Sequence, residues 1–299
     1  MKIGFIYIVS YTFIMAFKSV IIKLLMAQGF NTVEIMMLRN IITFTVVSIA
    51  LFIMYKLKKI HIESFKSIAY LLVIGLLGFH ISSFLDLYSL NYISVNLERL
   101  IVHLYPSLVC LFLVIKNGRQ AVTKDQWLAM GIIYLATVVF FGFEYKANEF
   151  AWFGMLLAFF AAVFYALYFV LIESSVKKYG GTQATLFSLP LASMTIMGQF
   201  IIVDGDIDFD LFGHQTLLLI VVLGGVIGVG SMWLINSSIT RFGASNTAII
   251  SSLGPFVTAV IAWLILGETL NVYQMFSMGV VVIAMFKLSK PQRTTIKPV

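Results

Sequence analysis

Apolar runs of about twenty residues, broken by short polar links, follow one another along the chain. A run of that length spans the hydrocarbon core of a bilayer when it is helical. Ten can be marked, at roughly 3–27, 33–55, 67–90, 94–115, 125–143, 150–173, 182–203, 215–238, 244–266 and 270–288. Short links predict neighbouring helices packed antiparallel. The one long polar link is DGDIDFDLFGHQ, 204–215.

Composition agrees with this pattern and excludes a soluble domain. The chain is 61% hydrophobic and only 11% charged, too few charges for the polar shell of a water-soluble protein of 299 residues. The expected fold class is an all-α membrane protein. The N-terminus, MKIGFIYIVSYTFIMAF, lacks a small-residue cleavage site and its apolar run resumes after Lys18, so it is predicted as a retained first span. A net charge of +7 would suggest nucleic acid in a soluble protein, but no basic stripe with interleaved aromatics occurs, and no nucleic-acid partner is expected. Cys110 is the single cysteine and the four histidines fit no metal-ligand spacing. LGGVIGVGSMW is not a nucleotide loop, because no strand precedes it and no Lys-Ser/Thr follows; its Gly224, Gly225, Gly228 and Gly230 are predicted to let helices pack closely. No cofactor is expected.

Basic residues give the orientation. Lys2, the KLKK loop, Lys66, Lys116, Arg119, Lys124, Lys177, Lys178, Arg241 and the tail residues Lys287, Lys290, Arg293 and Lys297 fall on one face. The opposite face carries Lys146 and collects Glu34, Glu144, Glu149, Glu268 and the four Asp residues of 204–210. Lys and Arg concentrate on the cytoplasmic side, so both termini are predicted in the cytoplasm, with an even number of spans between them.

The chain also repeats itself. Shifted by 149, YPSLVCLFLVIKNG (105–118) lies on GPFVTAVIAWLILG (254–267), which places Pro106 on Pro255 and Gly118 on Gly267. After a one-residue gap QWLAMG (126–131) lies on QMFSMG (274–279). The units are 1–145 and 146–299, each of five spans, so the second enters the membrane inverted. Inverted repeats are a signature of secondary transporters, whose substrate site lies near the midplane between the halves.

These residues resemble a known family. Two five-helix repeats, a basic residue early in the second span (MMLRN, Arg39), and SLGPFVTAVIAWLILGETL followed by YQMFSMGVVVIA are similar to the EamA family of the drug/metabolite transporter superfamily. The first copy departs from the pattern, reading VIKNG and then Arg119 where the family often has Gly-Glu. The resemblance covers almost the whole chain. It implies a multi-pass carrier of the bacterial inner membrane that moves a small metabolite, as a monomer or homodimer in the lipid bilayer, and it leaves the cargo open.

Charges inside the spans are the candidate chemistry. A charged group at a helix centre costs roughly 2.5–3.5 kcal/mol on insertion scales. Lys18, Arg39, Asp86, Glu98 and Arg99 therefore call for partners or a function. Arg99, His103 and Pro106 share a face of span 4, and Ser82, Asp86 and Ser89 share one of span 3. His80, about 120° from Asp86, points elsewhere. Under the 149 shift His80 falls on Val229, Asp86 on Ile235, Glu98 on Thr247, Arg99 on Ala248 and His103 on Ser252, so equivalent helices are built without these charges. Two readings follow. Asp86 and Arg99 could form a salt bridge that pins spans 3 and 4. Alternatively Lys18, Arg39, Asp86, Arg99 and His103 bind a cargo bearing carboxylate or phosphate, with Tyr165 and Asn246 as further contacts. Arg suits that cargo by bidentate pairing. Desolvation favours the protonated form of a carboxylate, so Asp86 and Glu98 are candidate proton carriers. These charges predict a polar chamber in the N-terminal half.

Pro106 and Pro255 each remove a backbone donor and clash with the carbonyl four residues earlier, which bends spans 4 and 9 either as hinges or as static kinks. Tyr7, Tyr11, Trp152, Tyr168 and Trp233 could line a cavity or pack against lipid, and Asn236 is a further polar candidate. The expected function is secondary transport of a small polar metabolite by alternating access, as proton-linked export. Uptake of a cofactor or nucleotide-like metabolite is the alternative within transport. A membrane scaffold or intramembrane enzyme is the alternative outside it, and no HExxH is present to support catalysis.

Overall fold

The computed structural model describes residues 2–61, 64–89, 91–93, 98, 101–141, 151–203, 212–266 and, near the end, 272–273, 275–277 and 279–280. All regular structure among them is helical. Helix α1 is Lys2–Ala27, α2 Thr32–Lys56, α3 Phe65–Ser89, α4 Tyr105–Asn117 and α5 Lys124–Phe141. The run Ala151–Val203 would be ~80 Å long as one helix, but Gly180 at φ 80° breaks it into α6 (151–179) and α7 (181–203). Gly243 at φ 78° likewise divides His214–Ser251 into α8 (214–242) and the first part of α9 (244–251), which resumes as Gly254–Leu266. Glycine alone adopts these positive φ values without a Cβ penalty, so each turn needs a single residue. The link expected at 174–181 is therefore helical up to Tyr179. Span 10 and the start of span 4 lie largely outside the described residues.

The entry to α2 is fixed locally. Asn31 Oδ1 accepts from Val33 N and Glu34 N, both at 2.9 Å, while Glu34 Oε2 accepts from Asn31 N at 2.7 Å. This reciprocal box satisfies backbone donors that the helix cannot. Asn31→Ala should cost about 1 kcal/mol, visible as a melting temperature a few degrees lower in detergent.

Two-fold likeness runs through the packing. An added Cβ on Gly75 of α3 would sit 1.6 Å from the Ser188 carbonyl oxygen of α7, and one on Gly224 of α8 would sit 2.5 Å from the Arg39 carbonyl oxygen of α2. Both pairs are related by the 149 offset, 75 to 224 and 39 to 188. The second helix of each repeat thus crosses the third helix of the other, backbone on glycine. A π-helical segment lies at each contact, Leu76–Ile81 directly after Gly75 and Val222–Gly230 around Gly224.

The prolines show the same symmetry. Two-residue turns at 103–104 and 252–253 interrupt spans 4 and 9, and the helices restart with Pro106 and Pro255 in their first turn. There a missing N–H costs nothing. Ser107 N donates to Leu104 O and Phe256 N donates to Leu253 O, both at 3.1 Å. The expected bend is a break with a fresh start, which removes the clash with the carbonyls of Val102 and Ser251.

Candidate functional site

Aromatic side chains from both repeats meet at the centre. Tyr11 of α1 and Tyr165 of α6 place their hydroxyls 3.0 Å apart. The Tyr165 ring packs on Tyr105 and on Phe169, each 5.1 Å between centroids. Tyr105 reaches across to α9, with its hydroxyl 2.5 Å from Ser251 Oγ and donating to Ala248 O at 3.3 Å. Tyr168, fully buried, donates to Asn236 Oδ1 at 2.9 Å, and Asn236 Nδ2 donates to Thr185 Oγ1 at 2.9 Å. Phe79 of α3 lies 5.4 Å from the Tyr168 ring. One chain of hydroxyl and amide groups therefore links α6, α7 and α8, beside a ring cluster drawn from α1, α3, α4 and α6.

The ionisable candidates divide. Arg39 and Asp86 are both half-buried and close enough to interact electrostatically. Asp86 Oδ1 is buried with no hydrogen-bond partner among the described residues, as is Thr247 Oγ1, on the position that corresponds to Glu98. Asp86 lies seven residues beyond Phe79, about 10 Å along α3 from the ring cluster. Glu98 is buried, and Arg99, the expected salt-bridge partner of Asp86, lies outside the described residues. His103 sits in the α4 turn with its ring 6.3 Å from Tyr105, which joins it to the cluster that contains Tyr165. Lys18 is half-buried on α1. Asn246 goes elsewhere: Gln126 Nε2 of α5 donates to its Oδ1 at 2.7 Å, and its amide donates to Phe242 O. His80 also points away, with its ring nitrogens 2.7 Å from Thr195 Oγ1 and Gln199 Oε1 of α7.

Rings pack the centre around Tyr165, while the chamber expected around Asp86, Glu98 and Arg99 falls partly outside the described residues. Tyr11, Tyr105, Tyr168 and Phe169 belong to the buried core, and rings occupy the space around them. The two cavities described lie to the side, one between α2, α7 and α8 and one against α7 beside His80. Tyr105, Thr185 and Ser251 escaped sequence reasoning, since a lone hydroxyl residue in an apolar run is ordinary; only the place of Tyr105 directly before Pro106 marked it. Trp152 is 60% exposed and faces outward, as ordinary packing predicts.

Comparison with known proteins agrees with this architecture. A solved crystal structure, named only as a protein, superposes with a TM-score of 0.74 at 16% identity, covering 96% of this chain and 95% of that one, which shows the shared fold. A curated relative from Bacillus subtilis strain 168, the uncharacterized transporter YcbK, is 24% identical over 69% of this chain and 67% of its own. Five helical runs among the described residues, two of them divided at Gly180 and Gly243, are long and apolar enough to cross a membrane, and the protein is a multi-pass membrane protein. The model of the EamA-like transporter family matches residues 2–142 and again 152–289, and on that match across nearly the whole chain the protein belongs to the EamA-like transporter family.

Proposed function

We propose that the protein is a secondary carrier that moves a small polar metabolite, an amino-acid-like compound or an organic anion, outward across the bacterial inner membrane in exchange for protons. Its ten spans, with both termini cytoplasmic, would act as two inverted halves that expose one site to either face in turn. The observation that carries this reading is the bare Asp86 carboxyl oxygen near Arg39. A buried polar atom without a partner costs roughly 1–3 kcal/mol, more when charged. Such a group is relieved by a proton or by the donor of a bound cargo, and a coupling site needs two such states. Arg39 supplies the complementary charge for a carboxylate. The ring cluster would close over the cargo, with Tyr165 and the Tyr168–Asn236–Thr185 chain as neutral contacts between the repeats.

Purified protein screened for thermal stabilisation against amino acids, nucleosides and cofactors tests the reading. A ligand at a hundred times its Kd stabilises by about 2.7 kcal/mol, so one chemical class should raise the melting temperature by several degrees and Arg39→Ala should abolish the shift. A shift that Arg39→Ala leaves intact would remove Arg39 from the site.

A further inference from the structure

Where α3 crosses α7, His80 faces Thr195 and Gln199. At the twin crossing of α8 with α2, the offset of 149 puts Val229, Val46 and Ala50 in those places. Val229 and Val46 line one cavity together and Ala50 packs on the buried core, so helices cross in this way without a polar group. We infer that His80 is a proton-binding site of its own, where a bound proton fastens α3 of one repeat to α7 of the other. This rests on the carrier reading for its purpose, because that reading makes the two repeats move against each other.

The hydrogens carry the argument. His80 Nδ1 lies 2.7 Å from Thr195 Oγ1, and Nε2 lies 2.7 Å from Gln199 Oε1. Thr195 has one hydroxyl proton, and it goes to the backbone of α7, toward Leu191 O at 2.9 Å and Ala192 O at 3.0 Å. What Thr195 offers the ring is therefore a lone pair, and the Gln199 carbonyl oxygen offers another. A neutral imidazole donates once and accepts once, while the protonated ring donates from both nitrogens. Two acceptors thus form a seat for an imidazolium. Charge-assisted bonds of this kind are roughly twice as strong as neutral ones. When the proton leaves, the Gln199 amide must turn over to keep the second bond, and both bonds weaken.

The surroundings leave that proton exchangeable. Helices α6 and α7 pack on this part of α3. α7 carries no titratable side chain between 181 and 203, so the charged ring has no counter-ion there. From α6 the titratable group at this level is Tyr168, which packs on Gly78 and Phe79 and gives its hydroxyl proton to Asn236. On α3 itself Asp86 is six residues on, about 120° around the helix, beside Arg39. The ring is half-buried and borders an open hollow along α7. Gln199 is one turn from Val203, where the described part of α7 ends on the acidic side. Ionisable groups within membrane spans commonly mark proton relays, and histidine is the usual switch among them.

Spin labels at the exposed positions Tyr88 and Ile202 report the separation of α3 and α7 near the acidic face. Pulsed electron spin resonance in nanodiscs is run from pH 5 to pH 8 on the parent and on Asp86→Asn, which removes the other proton site. In both, the distance should be short and narrow at pH 5 and longer by about 2 Å at pH 8, the scale of helix shifts at interfaces. His80→Val with Thr195→Val should lose this response. Thr195→Val with Gln199→Ala, which keeps the histidine and removes its seat, should lose it too. Both variants should melt near the parent temperature, since the twin crossing is built from the same residues. Nitrogen NMR of labelled histidine, with the His80 signal identified by its absence in His80→Val, should show two ring N–H groups at pH 5 and one at pH 8, with the midpoint of the distance change. A response that persists without His80, a ring that stays in one state throughout, or a ring that titrates at constant distance would overturn the inference. The distances need no cargo. Gradient-driven transport by a protein whose crossing ignores pH would therefore sink this inference alone, and a responsive crossing in a protein that moves nothing would sink the carrier reading and leave the proton site standing.

Discussion

Gly75→Ala should be strongly destabilised. Its new methyl would lie 1.6 Å from the Ser188 carbonyl oxygen, and that atom belongs to a helix backbone that cannot swing aside as a side chain can. Inserting a methyl into a well-packed core costs about 1–3 kcal/mol, and separating two backbones over their whole crossing should exceed the upper end. At a few degrees per kcal/mol for a chain of this size, an apparent melting temperature lower by roughly 10 °C is expected in detergent, with loss of the monodisperse peak. Gly224→Ala, the same contact in the other repeat at 2.5 Å, should show a smaller fall. Gly131→Ala has nothing within 4 Å of its methyl and should be unchanged or slightly stabilised, since alanine is the better helix former. A ranking other than Gly75, Gly224, Gly131 would mean that these crossings do not set the helix spacing.

Asp86→Asn should separate exchange from coupling. Asparagine keeps the shape of the side chain and removes both the charge and the proton. In proteoliposomes with cargo on both sides, exchange of labelled for unlabelled cargo should continue near the parent rate. Accumulation driven by an imposed pH gradient should fall at least tenfold, about 1.4 kcal/mol of lost coupling. If Asp86 only neutralised Arg39, removing it would leave a half-buried cation uncompensated, at a cost of up to about 3–5 kcal/mol. Stability and exchange would then fail together. Glu98→Gln added to Asp86→Asn should abolish what gradient response remains, and a gradient response unchanged in the double variant would end the proton-relay reading.

Much of this molecule was legible before any coordinates. Apolar runs named the helices because a bilayer leaves a backbone few other ways to satisfy itself. The 149 offset, seen in two short segments, reappears at Gly75–Ser188 and Gly224–Arg39, far from the residues that revealed it. Pairing was harder to foresee. Asn246 is as polar as Asn236, yet one bonds Gln126 and the other joins the central chain, because rotation about a helix decides the neighbour and an all-apolar helix leaves no stripe to fix that rotation. The same gap explains LGGVIGVGSMW: its four glycines look alike in sequence, but a π-helical register turns Gly224 and Gly228 toward α2 and leaves Gly225 and Gly230 on the cavity between α2, α7 and α8. The prolines mark the interruptions of spans 4 and 9, where a two-residue turn relieves the clash that a continuous helix would bear.

In this conformation contacts between the repeats hold both ends. Thr216 Oγ1 donates to Gln28 Oε1 at 2.8 Å on the acidic face, and Gln126 meets Asn246 at 2.7 Å while Ser67 Oγ meets the Tyr179 hydroxyl at 2.9 Å on the basic face. A carrier that opens to alternate sides must break one set while it keeps the other. Spin labels at the exposed positions Val33 and Gln215 report the acidic face, and labels at Lys124 and Lys178 report the basic face. Distances measured by pulsed electron spin resonance in nanodiscs, at pH 5 and pH 8, test this most directly. Two populations are predicted for each pair, shifting in opposite senses with pH, and a single distance for each pair at both pH values would contradict the alternating carrier.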